Sequence, residues 1–240
     1  MCLEKYKGVN KIMKKFAGKL IILIVLIFIS SNVIINAEEL KKDDKKIILI
    51  DPGHGGIDGG AESKNGITEK DINLKIGLNL KKRLEKQHFK VVMTRDKDKG
   101  LYSDEGKIRK KKLEDLNNRC KMKEESNCDM FVSIHLNKFP QSKYYGAQVW
   151  YSDNKNSTEL AHIIQENLRE DLNDDSGRVE KPALELYKVL RCSKNIPSVI
   201  VECGFLSNEE EAYKLNTDKY QNKIAESICK SIKMYYDKKS

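Results

Sequence analysis

The sequence predicts an α/β fold, a mostly parallel central sheet of about six strands flanked by helices on both faces. Short Val/Ile-rich runs alternate with amphipathic stretches from residue 46 onward, the pattern of strands joined by crossover helices. The runs are nearly continuous in apolar character, as in strands covered on both sides. No repeat or long low-complexity gap interrupts them.

Strands are expected at 46–51, 90–95, 130–136, 147–152, 186–191 and 198–202. Between them lie helices over about 68–87, 107–125, 157–171 and 218–236, with a short one near 208–215. The first strand, KIILID, ends in Asp51 and opens into Pro52-Gly53-His54-Gly55-Gly56. The first helix carries Ile72, Ile76, Leu80 and Leu84 every four residues, a stripe suited to face the sheet. Thr68 with Asp71 has the form of an N-terminal cap, which puts Glu69 in the first turn. Spaced three residues before Ile72, Glu69 falls on nearly the same side and can point toward the sheet edge. The last strand, SVIVE, ends in Glu202 and runs into Cys203-Gly204-Phe205-Leu206-Ser207-Asn208.

Ahead of this domain (46–240) lie an N-terminal targeting segment, 1–37, and a charged linker, 38–45 (EELKKDDK). Six lysines precede the unbroken apolar run 20–29, and Ala37 closes a stretch with small and polar residues. A basic region, a short apolar core and a small residue match an export signal. A spanning helix needs ~20 apolar residues, and this run is shorter. Cleavage is the expected fate, with retention as an anchor the alternative. Residues beyond 37 are then exported and work outside the cytoplasmic membrane, secreted or anchored.

The net charge of +9 shrinks beyond residue 37, where 39 basic face 35 acidic residues. Lysines there are interleaved with glutamates, so solvated helix faces explain the charge and nucleic acid is not an expected partner. The six cysteines are Cys2, Cys120, Cys128, Cys192, Cys203 and Cys229. None stands in a C-x-x-C pair, which speaks against a thiolate zinc site, and cleavage leaves an odd number. They read as buried or spare thiols, with a Cys120–Cys128 bridge the one pairing considered.

In an open α/β sheet, ligands gather beyond the carboxyl ends of the strands. His54 follows the first strand, Glu69 opens the first helix, His135 ends the strand FVSIHLN, and Glu202 ends the strand SVIVE. Singly, each is an ordinary polar residue at the end of a strand or the start of a helix. Together, His54, Glu69 and His135 form a catalytic zinc ligand set with a fourth position open to water. Zinc acidifies such a water and polarises a carbonyl, and a carboxylate off the metal then moves the proton. Glu202 suits that part. His88 and His162 read as ordinary helix residues, and no H-E-x-x-H helix occurs. The glycines let the backbone pass close to a metal and a bulky substrate, and Pro52 stiffens the approach. Asp51 is either a partner that orients a ligand imidazole or a turn residue accepting backbone hydrogen bonds.

With these residues in place, the chain resembles the zinc-dependent N-acetylmuramoyl-L-alanine amidases that cut bacterial peptidoglycan, the amidase type 3 family. The matching segments are IDPGHGGIDGGA at 50–61, TEKDINLKIGLNLKKRLE at 68–85 and VVMTRDKD at 91–98. They continue with RCKMKEESNCDMFVSIHLNKFP at 119–140, GAQVWY at 146–151 and IPSVIVECGFLSNEEE at 196–211. The last two are most similar to the sporulation- and germination-associated branch. The resemblance implies hydrolysis of the amide between the lactyl group of N-acetylmuramic acid and L-alanine of the stem peptide. It implies zinc on His54, Glu69 and His135, and Glu202 as the catalytic carboxylate. It also sets Arg191 near the active site, as a catalytic contact to substrate or transition state; a surface salt bridge is the alternative. Ser126-Asn127 stands where the family has Ala-Asn.

Two other functions remain open at this level. One is a zinc peptidase or deacetylase acting on another wall bond. The other is an inactive peptidoglycan-binding adaptor, against which the intact set of four residues argues. With no room for a separate wall-binding module, localisation is expected from the N-terminal segment or a membrane-bound protein partner.

Overall fold

The computed structural model describes residues 45–239. The export signal or anchor at 1–37, and all of the 38–45 linker but Lys45, lie outside the described residues. Among the described residues, no helix is long and apolar enough to cross a membrane.

Six strands form one sheet: β1 (Ile47–Pro52), β2 (Lys90–Met93), β3 (Met130–Asn137), β4 (Gln148–Tyr151), β5 (Lys181–Pro182) and β6 (Ser198–Phe205). Their spatial order is β2-β1-β3-β6-β4-β5. β2, β1, β3 and β6 run parallel, β4 is antiparallel to β6, and β5 lies parallel to β4. The helices are α1 (Glu69–Lys86), α2 (Ile108–Glu125), α3 (Lys155–Leu172), α4 (Lys188–Arg191), α5 (Glu209–Leu215) and α6 (Asp218–Asp237).

Strand side chains alternate between two faces. Ile48 and Ile50 of β1 enter the larger core, together with Val132 and Ile134 of β3. α1, α3 and α6 close that face, and the stripe Ile72, Ile76, Leu80 and Leu84 is buried in it as expected. Each such side chain contributes about 1.5–3 kcal/mol on burial. Leu49, Phe131 and Ile200 point the other way, into a smaller core completed by Val189 and Leu190 of α4. On this thinner side α2 buries just two residues, Arg119 and Lys123, and the Lys123 ammonium sits 4.9 Å from the centre of the Phe131 ring.

Three expectations are corrected. The strand expected at 186–191 is instead α4, reached by a strap that turns at Leu184 (φ 48°), and the sixth strand is the two-residue β5. A short apolar pair such as Val189-Leu190 is ambiguous between strand and helix. Here the carbonyls of Val189 and Cys192 are taken by the Lys123 ammonium rather than by a strand ladder. Cys120 is bonded to Cys192, not to Cys128, which remains a buried thiol. Thr68 occupies the N-cap of α1, but its hydroxyl donates to the Asp71 carboxylate and makes no bond to the helix backbone.

Candidate active site

On the thinner face, each strand turns polar toward its carboxyl end. Leu49 is followed two residues on by Asp51, Phe131 by Ser133 and His135, and Ile200 by Glu202. Strand pairing sets Asp51 opposite Ser133 and His135 opposite Glu202. Side chains at paired positions share a face, so the sheet itself gathers these groups. Glu69, in the first turn of α1, reaches the same place. Its Oε1 lies 2.9 Å from His135 Nδ1 and 3.2 Å from His54 Nε2.

The donor atoms of His54, Glu69 and His135 all lie within 4.8 Å of one another. That spacing suits one ion with ligand bonds of about 2.0–2.2 Å. Glu69 is buried and also accepts from the backbone of Leu136 and Ala61. Burial opposes its ionisation, but the hydrogen bonds from His135 and His54 win and hold its carboxyl far below the usual range. Burial likewise pulls the His54 imidazole down, yet bonds to Asp58 and Glu69 outweigh it and raise its pKa to about 9. The position thus favours positive charge, the demand a divalent cation meets. The donor set and its electrostatics fit zinc.

The His54 ring is oriented by Asp58, whose Oδ2 lies 2.9 Å from Nδ1 and whose Oδ1 pairs with Lys112 at 2.8 Å. A carboxylate on the far nitrogen fixes the tautomer and leaves Nε2 for the ion. Asp51, considered for this part from the sequence, does other work. It accepts from the Thr94, Ser133 and Arg119 side chains and lies beneath the loop. Arg119 continues to the carbonyls of Pro52 (3.0 Å) and His54 (2.7 Å), and Arg95 donates to those of Pro52 (2.9 Å) and Gly53 (3.0 Å). These two guanidiniums hold His54 in the left-handed region, at φ 62°. The loop glycines earn their place sterically, since a Cβ at Gly53 would fall 2.2 Å from His135 Nε2.

Glu202 has a contrasting environment. Burial, with the neighbouring Glu69 charge adding to it, outweighs the two imidazoles and pushes its pKa up to about 7. Among the described residues its Oε2 is buried without a partner, and its Oε1 is met at 3.5 Å by the Tyr187 hydroxyl. A groove of about 220 Å³, lined by His54, His135, Lys112, Leu116, Leu186 and Tyr187, gives access to this end of the sheet.

His54, Glu69, His135 and Glu202 are therefore brought together, and Arg191 is not. Its guanidinium pairs with Glu185 at 2.9 Å on the exposed side of the strap. His162 pairs with Glu180 at the surface, and His88 is an exposed residue just beyond α1. Asp58, Arg95, Arg119 and Tyr187 were not singled out from the sequence. Only Asp58 carries a local signal, a carboxylate four residues after a candidate ligand.

The domain is similar to known N-acetylmuramoyl-L-alanine amidases. The family model described as N-acetylmuramoyl-L-alanine amidase matches residues 48–234. The germination-specific N-acetylmuramoyl-L-alanine amidase of Bacillus subtilis is 38% identical over 196 residues, which cover 81% of this chain and 81% of that protein. Among solved structures, the CwlD amidase of Clostridioides difficile, determined in complex with the GerS lipoprotein, is 46% identical with a TM-score of 0.78. That match covers 80% of this chain and 99% of the other. An N-acetylmuramoyl-L-alanine amidase from Clostridium difficile 630 is 33% identical with a TM-score of 0.71, over 82% of this chain and 100% of that one.

Proposed function

This chain belongs to the N-acetylmuramoyl-L-alanine amidase family, and we propose on that premise that His54, Glu69 and His135 hold a zinc ion beside which Glu202 acts as the proton carrier. The observation that carries the reading is the convergence of three donor atoms beside a second buried carboxylate, set opposite His135 in the sheet with one oxygen unpartnered. When bound, zinc would supply Lewis-acid chemistry, acidifying a water and polarising the lactyl carbonyl of the substrate. Glu69 stays anionic under its ring of donors. Glu202, buried beside these residues with an unpartnered Oε2, accepts the proton of the attacking water and returns it to the L-alanine nitrogen as the amide breaks. Asp58, Arg95 and Arg119 keep the His54 loop in place throughout.

The substrate is peptidoglycan, and the likeness to a germination-specific relative supports spore cortex as its setting. The solved relative carrying a lipoprotein supports a membrane-bound protein partner for this chain too. Both fit an exported protein working outside the cytoplasmic membrane.

The test is to load the purified chain with zinc, add cortex peptidoglycan, and look by mass spectrometry for free stem peptides beginning with L-alanine. Glu202→Gln is expected to retain zinc and lose about 10²–10⁴-fold in turnover. His54→Ala is expected to lose both metal and activity. Full turnover in the Glu202 variant would remove that residue from the mechanism.

A further inference from the structure

A proton-carrying glutamate must present one oxygen to the reaction while something holds the other. Among the described residues, Glu202 has its Oε2 free of partners and a single side-chain hydrogen bond to Oε1, from Tyr187. We propose that Tyr187 is a positioning residue of the hydrolytic reaction: its hydroxyl holds Glu202 Oε1 and so reserves Oε2 for proton transfer. The inference rests on the amidase reading of the site.

The geometry around Tyr187 explains how a hydroxyl on a strap can serve this purpose. Its ring packs against Trp150 of β4 at 5.7 Å between centres, within the smaller core. The backbone that follows is held from beneath by α2 at three points. Lys123 Nζ donates to Val189 O at 3.2 Å and to Cys192 O at 2.7 Å, Lys188 Nζ reaches the Asn117 side chain, and Cys120 is bonded to Cys192. The tyrosine is also the N-cap of α4, in extended backbone, so its side chain leaves the strap just where the helix begins. It lines the groove with His54 and His135.

The contact of 3.5 Å is at the long end for a hydrogen bond. Catalytic hydrogen bonds are often long in the resting enzyme and shorten in the reacting complex. A phenol donor is neutral, so it can steady the carboxylate without competing for the site as a cation would. No other polar group on the strap is bonded to Glu202: Glu185 is taken by Arg191, and Lys188 by Asn117.

The test uses the full chain and a soluble muramoyl peptide with the lactyl–L-alanine amide. Tyr187→Phe keeps the ring against Trp150 and removes only the hydroxyl. The expected result is a fall in kcat of about tenfold, the range for one hydrogen bond to a charged group, with KM unchanged. Zinc affinity, titrated on the metal-free chain, stays within about twofold, and the melting temperature within about 2 °C. In the Glu202→Gln background, Tyr187→Phe should cause no further loss, because the group it positions is gone. Unchanged kcat in Tyr187→Phe would overturn the inference, as would a change confined to KM, weakened zinc binding, or an equal loss in both backgrounds. A wild-type chain that binds zinc and releases no stem peptide would overturn the amidase reading and the inference with it. An active wild type beside an unaffected Tyr187→Phe would sink the inference alone.

Discussion

Helix α2 holds the two walls of the groove with two buried cations set one turn apart, and it holds them differently. Arg119 faces the β1 loop, where its guanidinium is pinned between Asp51 and Asp115 and reaches the carbonyls of Pro52 and His54. Lys123 faces the strap, and among the described residues its ammonium is met by two carbonyls and the Phe131 ring, with no carboxylate bonded to it. Burial works against the charge in both. At Arg119 the two carboxylates overcome it and raise the pKa above its ordinary value; at Lys123 nothing does, and the pKa falls to about 8. A cation matched by carboxylates is permanently charged, whereas one matched by carbonyl dipoles depends on pH. The planar fork of arginine suits the wall that carries His54, where several acceptors converge, and the single ammonium suits the two carbonyls of the strap.

The firmest way to break this contrast is at the loop wall. Arg119→Met leaves the Asp51 carboxylate buried with only Thr94 and Ser133 to satisfy it. Breaking a buried pair from one side costs about 3–5 kcal/mol, and that loss is expected in urea unfolding. Zinc affinity should fall with it, because the His54 carbonyl loses its tether. A loss under about 1 kcal/mol would mean that the loop does not depend on this pair.

The strap wall gives a smaller, pH-dependent effect. The folded pKa of Lys123, about 8, lies below its unfolded value near 10.4. Between those values the unfolded chain binds the extra proton. The destabilisation from burying the ammonium is thus fully present below pH 8 and is relieved as pH rises toward 10. Lys123→Met has no such dependence. Measured side by side, the wild type should gain about 2 kcal/mol over this variant between pH 8 and pH 10. Parallel profiles would show that Lys123 keeps its proton in the folded protein, and the two walls would then be alike.

This contrast also marks where reading the sequence succeeds. Strands such as SVIVE and the Ile72–Leu84 stripe announce themselves because apolar residues buried on a face recur with its period. His54, Glu69, His135 and Glu202 were visible because each sits where a strand ends or a helix begins, the place an open sheet offers to ligands. α2 could be assigned as a helix but not oriented, since its buried face is made of Arg119 and Lys123 while Ile108, Leu113 and Leu116 are exposed. No pattern distinguishes those two from their many charged neighbours. Apart from Asp115, one turn before Arg119, their partners, Asp51 and the carbonyls of Val189 and Cys192, lie more than sixty positions away. Tyr187 was hidden for a related reason: with 186–191 read as a strand, the strap that carries it did not exist.

Arg191 gives the smallest expected effect and the finest probe of the strap. It shares α4 with Val189 and Leu190, whose side chains are buried, but its own guanidinium turns outward to Glu185. Their side chains are 43% and 79% exposed, so water screens the pair on most sides. Such pairs contribute about 0.2–1 kcal/mol. Arg191→Ala is therefore expected to leave kcat/KM within about twofold and the melting temperature almost unmoved. A tenfold loss at unchanged stability would require the guanidinium to leave Glu185 and reach the substrate, with the strap shifting around its Cys120–Cys192 bond to α2. Tyr187 would then leave Glu202 as the substrate entered, and the Tyr187→Phe loss would vanish in the same assay. The two variants together distinguish a fixed strap from one that moves during the reaction.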